Sequence, residues 1–177
     1  MTLIDEAVVC PIAKRIGFRL ERPEDESFLQ RLYAGTRAEE MALTGWNDEQ
    51  KDAFLGMQFQ LQTTHYRRHY ADASFQMILL DEAPIGRIYL HYGPREIRLM
   101  DIALLPESRG GGIGSWILAN LLREAAQMQK PVTLYVERFN RALHLYRRLG
   151  FQVLEDQGVN LYMRWAPAVL PPSEPAE

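Results

Sequence analysis

Leu104-Leu105-Pro106-Glu107-Ser108-Arg109-Gly110-Gly111-Gly112-Ile113-Gly114-Ser115 is the stretch on which the fold turns. Residues 96–105, leading into it, read as a strand. Leaving it, Ile113, Ile117, Leu121 and Leu122 recur at helical spacing and mark an amphipathic helix over 112–127. A strand that runs through a glycine-dense turn straight into a helix leaves first-turn backbone N–H groups without partners and adds the positive end of the helix dipole. The glycines remove the Cβ atoms that would hold a ligand away from those amides. Together they predict a pyrophosphate cradle. The P-loop is excluded, because no Lys follows the last glycine. The dinucleotide pattern Gly-x-Gly-x-x-Gly fails as well, because Ser115 and Ile117 occupy its last glycine position. The spacing that fits is Arg-x-x-Gly-x-Gly, from Arg109 to Gly114.

Working outward, alternation of Phe18 and Leu20 with Arg19 and Glu21 predicts a first strand ending before Pro23. Phe28, Leu29, Leu32 and Tyr33 follow at helical spacing, and 35–45 shows no clear period. Asn47 and Gln50 have the spacing of a reciprocal helix cap. The helix behind them is expected to reach about Tyr70, with Phe54, Met57, Leu61 and His65 on one stripe and Leu55, Phe59, Gln62 and Tyr66 beside it. Strands are expected at 75–80 and 85–92 around a turn at 81–84, and then at 132–136, 151–154 and 159–165, with a short helix at 142–149. The order predicts an α/β fold: one domain over 17–165, a mixed and mostly antiparallel sheet flanked by helices. Residues 1–16 are read as an N-terminal arm and the proline-rich 166–177 as a disordered tail.

The turn resembles the acyl-CoA-dependent N-acetyltransferases of the GNAT superfamily, in which Arg/Gln-x-x-Gly-x-Gly/Ala cradles the coenzyme A pyrophosphate. Leu145-Tyr146-Arg147-Arg148-Leu149-Gly150-Phe151 resembles the family's Leu-Tyr-x-x-x-Gly-Phe, and Asp101-Ile102-Ala103-Leu104-Leu105-Pro106 resembles its fourth strand. The likeness covers roughly residues 75–165 and implies splayed fourth and fifth strands. It assigns acetyl-CoA as acyl donor, Ile102, Ala103 and Leu104 to the pantetheine arm, and Arg109, Gly110, Gly111, Gly112, Ile113, Gly114 and Ser115 to the pyrophosphate. Asn140 becomes a further cofactor contact. The Leu104 N–H, freed by a bulge, would face the acyl oxygen, and Tyr146 would protonate the departing thiolate; a core aromatic is the plainer reading of Tyr146.

Two departures stand out. Asn140-Arg141-Ala142 is one residue shorter than the family's Asn-x-x-Ala. The places where some members carry a Glu base hold Arg98 and Tyr135. Glu137, Asp101, His91 or a water chain are then the candidates to take the amine proton, although surface ion pairs or solvated positions are the plainer readings of the three side chains. The implied reaction is direct acetyl transfer to a primary amine of a small molecule, peptide or protein. The rival is a non-catalytic acyl-CoA-sensing module.

Composition excludes other classes. The 177 residues are 47% hydrophobic and 24% charged with a net charge of -3, so neither disorder nor an electrostatic footprint for nucleic acid is expected. One cysteine, Cys10, rules out an intrachain disulfide and a cysteine zinc site. With no membrane-length apolar run and no basic signal segment, the expectation is a cytoplasmic protein without metal, membrane or nucleic-acid partner. A homodimer is compatible with this. The family implies that the acceptor lies over the first helices, about Tyr33 to Tyr70. There Glu39-Glu40 would attract a cation, though a solvated acidic loop is the plainer reading. His65 and His69 have metal-ligand spacing but read as two helix-surface histidines.

Overall fold

The computed structural model describes residues 12–168, so most of the expected arm and tail lies outside it. The strands are β1 (Ile16–Leu20), β2 (Ser74–Leu80), β3 (Ala83–Tyr92), β4 (Ile97–Leu104), β5 (Val132–Glu137), β6 (Gln152–Asp156) and β7 (Asn160–Trp165). The helices are α1 (Glu26–Thr36), α2 (Ala38–Ala42), α3 (Asp48–His69), α4 (Ile113–Gln127) and α5 (Ala142–Arg148). The strands form one seven-stranded sheet in the order β1-β2-β3-β4-β5-β7-β6. β1 to β2, β2 to β3, β5 to β7 and β6 to β7 pair antiparallel, and β4 and β5 run parallel. This is the expected single-domain, mostly antiparallel α/β fold.

Within it the residues gather into two compact units: the chain up to His91 with Met100–Trp116, and Tyr92–Leu99 with the chain from Ile117 onward. In the first, Leu29, Leu32 and Tyr33 of α1, Met41 of α2, and Leu55 and Phe59 of α3 pack with Met77 and Ala103 as one apolar cluster. α3 starts as the sequence predicts: Gln50 N–H donates to Asn47 Oδ1 at 2.9 Å and Asn47 N–H to Gln50 Oε1 at 3.0 Å. Of its two stripes, the one with Leu55 and Phe59 turns inward, while Met57, Leu61 and His65 are exposed. α2 fills a region without sequence periodicity. The β2–β3 turn is tighter than expected, with Asp81 and Glu82 at φ 48° and 67°.

In the second unit, Val132, Thr133, Leu134 and Val136 of β5 are buried with only Tyr135 between them exposed, and Leu161 and Met163 of β7 are buried at alternate positions. Buried Ile117, Leu118, Leu121 and Leu122 form the inner stripe of α4.

Candidate active site

β4 changes register along its length. At its start Ile97 N–H donates to Pro131 O, on the β5 side. Eight residues later Leu105 N–H donates to Ile85 O, on the β3 side, at 2.8 Å. In a regular strand residues an even number apart present their amides to the same edge, so an extra residue intervenes: the strand is bulged. Pairing with β5 covers Ile97↔Val132, Arg98↔Thr133 and Leu99↔Leu134. Since Leu105 N–H faces β3, the neighbouring Leu104 N–H faces the opposite edge. Gly86 on β3 makes room for this path: a Cβ there would stand 2.2 Å from Ala103 O and 2.8 Å from Leu104 Cδ2. Ala103 is buried, and Ile102 and Leu104 are half-buried.

Beyond the strand, Pro106–Ser108 makes one 3-10 turn, and Arg109 Nε donates to Leu104 O at 2.8 Å, tying the motif's first residue to the strand end. Gly110 and Gly112 take φ of 78° and 83°, left-handed values that side chains resist. Cβ atoms placed on Gly110, Gly111 and Gly112 would each meet nothing within 4 Å, so the turn is open around these three positions. Ile113, 4% exposed, anchors the helix start. Trp116 N–H bonds back to Gly112 O at 2.9 Å, and the Ile113 and Gly114 amides ahead of it have no helical carbonyl to reach. Gly114 and Ser115 are half-buried.

In the second unit, Tyr146 is buried at 6% exposure, its ring 5.6 Å from that of Phe151 and close to perpendicular. Asn140 uses its Oδ1 to accept the Ala142 N–H at 2.8 Å, ahead of α5. Arg98 donates to Thr133 Oγ1 and Glu96 and lies over the rings of Tyr135 and Tyr162. Tyr92, partly buried beside Glu124, has its hydroxyl pKa pushed up to about 12.

The first unit also holds a polar chain that sequence reading did not assemble. Arg87, 2% exposed, donates to Asp101 and to Gln62 Oε1. Tyr66 donates to Met100 O at 3.2 Å, and Tyr89 to Glu21 at 2.6 Å, while Arg67 pairs with the other oxygen of Glu21. Burial drives both tyrosine pKa values upward, helped by the charge of Asp101 for Tyr66 and the bond to Glu21 for Tyr89. Asp101 is thus in an ion pair, half-buried itself and held from the interior by the buried Arg87. His91, half-buried against Tyr70, lies 3.4 Å from Asp72. His65 and His69 are exposed and stacked, ring centroids 4.3 Å apart, and no group of three or more potential metal ligands occurs among the described residues. None of the described helices is long and apolar enough to cross a membrane. The signal for Gly86 was present in the sequence, an isolated glycine inside a strand pattern. Gln62 and Arg87 gave none, being polar residues 25 positions apart.

The acetyltransferase (GNAT) family model matches residues 28–151. The chain belongs to the GNAT acetyltransferase family. Among solved structures, the PaiA N-acetyltransferase of Thermoplasma acidophilum in complex with coenzyme A is 20% identical over 85% of this chain and 98% of its own, with a TM-score of 0.65. Ard1 from Thermoplasma volcanium is 18% identical over 88% and 99%, with a TM-score of 0.57. Arabidopsis thaliana Naa50, bound to the bisubstrate analogue CoA-Ac-MVNAL, is 17% identical over 85% and 97%, with a TM-score of 0.54. At these identities the structures speak for the GNAT fold. No match is found among curated proteins.

Proposed function

We propose that this GNAT chain transfers the acetyl group of acetyl-CoA to a primary amine by direct attack. The observation that carries the reading is the open glycine turn at the start of α4, behind a bulged strand. The donor fits: three adjacent glycines leave space where phosphate oxygens would lie, and helix-start amides with about half a positive charge face it. Arg109 would add a charge-assisted bond, and Ile102, Ala103 and Leu104 would receive the pantetheine arm as an added strand. Coenzyme A in the PaiA structure and the CoA-Ac conjugate on Naa50 support the choice of donor.

In the reaction the amine nitrogen bonds to the thioester carbon, the carbon–sulfur bond breaks, and the nitrogen loses a proton to water. Charge growing on the acyl oxygen meets the Leu104 N–H, a donor that needs no reorganisation. The leaving sulfur takes a proton from the Tyr146 hydroxyl, which recovers one from the water that accepted the amine proton, so the donor is restored for the next turnover. Asn140, already committed ahead of α5, acts on the cofactor through the shape of its turn.

A panel of small and peptide amines, scored by release of free thiol, tests the activity. Turnover of at least one amine is expected; acetyl-CoA binding without thiol release from any would select the sensing module. Tyr146→Phe should lower kcat about tenfold or more while acetyl-CoA affinity holds. An unchanged rate removes Tyr146 from the mechanism.

A further inference from the structure

α3 is apolar on two sides. Leu55 and Phe59 face the core, as one stripe of an amphipathic helix should. On the outer side Gln50, Phe54, Met57, Leu61, Thr64 and Arg68 follow one another at alternating intervals of four and three. That is the seam spacing of a two-stranded coiled coil, in which the apolar positions meet a second helix. No described element covers the middle of this seam. Met57 is 53% and Leu61 58% exposed, beside an open groove of about 570 Å³ that runs from Met57 to His69. Trp46 widens the seam at its other end, its ring edge-on to that of Phe54 with 5.1 Å between centres.

The two ends of the seam are opposite in chemistry. The first turn of α3 carries Asp48 and Glu49, next to the rings of Trp46 and Phe54. The last turn carries Arg67, Arg68 and His69. Arg67 uses its charge inside the chain, bonded to Glu21 at 2.7 Å and lying 3.9 Å over the Phe75 ring. Arg68, its exposed neighbour on the seam, has no hydrogen bond or ion pair among the described residues.

What fits such a seam is a helix with the same apolar centre and the charges reversed end for end, and α3 of a second copy, turned antiparallel, is one. We propose that two copies of this chain associate through the outer faces of α3, antiparallel about a two-fold axis. Met57 then lies against the partner's Leu61 and Leu61 against the partner's Met57, as an isologous contact requires. The same register sets Gln50 level with the partner's Arg68 and Glu49 level with the partner's His69. Each Arg68 guanidinium comes to an acidic first turn and to the rings of Trp46 and Phe54, where ion pairing and cation–π contact both favour it. The helix dipoles oppose each other as well. Level with residue 50 of the other copy, 18 residues away, the two Arg68 side chains stand about 27 Å apart at ~1.5 Å per residue. A parallel pair would put them side by side. This association does not depend on the acetyl-transfer reading.

Sedimentation equilibrium of the full chain tests it. One helix a side falls at the low end of stable interfaces, below about 1,200 Å² in all, so a micromolar dissociation constant is expected. At about 100 μM the wild type should approach twice the 20.5 kDa of one chain. Leu61→Glu brings two carboxylates to the two-fold axis and should sediment as one chain, with the far-ultraviolet circular dichroism of the wild type because the position is exposed. Arg68→Glu sets like charges against Asp48 and Glu49 and should weaken association about tenfold or more. A wild type of one-chain mass overturns the proposal and leaves residues 1–11 or a different protein to cover the seam. Association that survives Leu61→Glu overturns it too, because another surface then joins the copies. Association unchanged by Arg68→Glu contradicts the antiparallel arrangement, and that variant decides by itself should Leu61→Glu fail to fold.

Discussion

Asp25 shows what one residue can contribute and when. It is 7% exposed, and the Arg19 guanidinium beside it holds its carboxyl below the usual range of about 4. A carboxylate whose pKa is depressed by folding stabilises the native state above its unfolded value, and that contribution is lost as pH falls through the folded one. Urea midpoints measured from pH 6 downward should therefore fall more steeply below about pH 4 in the wild type than in Asp25→Asn. Parallel curves would mean the pair contributes nothing. At this scale sequence reading was weakest. Alternation of Phe18 and Leu20 with Arg19 and Glu21 marked a strand, yet Phe18 and Leu20 are the exposed ones while Arg19 and Glu21 bind partners. Asp101 carried no mark of the arginine 14 positions before it. Pairings between strands depend on register, which no local period reports.

Elements were more legible. The Asn47–Gln50 cap, the α3 stripe of Leu55 and Phe59, and the strand at 132–136 each follow from side-chain chemistry acting within a few residues. α2 escaped, since five residues make little more than one helical turn. The other α3 stripe misled because Met57 and Leu61 have the right spacing but face solvent. The bulge in β4 came from the family resemblance, while the close approach of β4 to Gly86, where a Cβ would collide with Ala103 O, came from the structure. Gly86→Ala forces a Cβ to 2.2 Å from a backbone oxygen and should lower stability by about 1–3 kcal/mol, the range for overpacking. Urea denaturation measures this, and an unchanged midpoint would show that β3 and β4 can part without cost.

At the scale of the whole molecule, the order of elements and two motifs more than 30 residues apart were enough to place the chain in its family, because the glycine turn and the Leu-Tyr helix are tied to fixed places in that fold. The buried polar chain around Arg87 was not legible in the same way. It joins side chains gathered from α3, β3 and β4, and their grouping exists only after folding.

The central claim is that main-chain amides behind Gly110–Gly112 hold the diphosphate of acetyl-CoA, and Gly111 offers the cleanest probe. Unlike its neighbours it does not need a left-handed backbone, and a Cβ there meets nothing within 4 Å. Gly111→Glu should therefore fold normally and place a carboxylate where the phosphates bind. At ~4 Å and an effective dielectric constant of ~20 this costs about 4 kcal/mol, enough to weaken binding a hundredfold or more. Calorimetric titration with acetyl-CoA should show saturable binding to the wild type and none measurable to Gly111→Glu at the same melting temperature. Equal affinities, or no binding by the wild type, would contradict the claim.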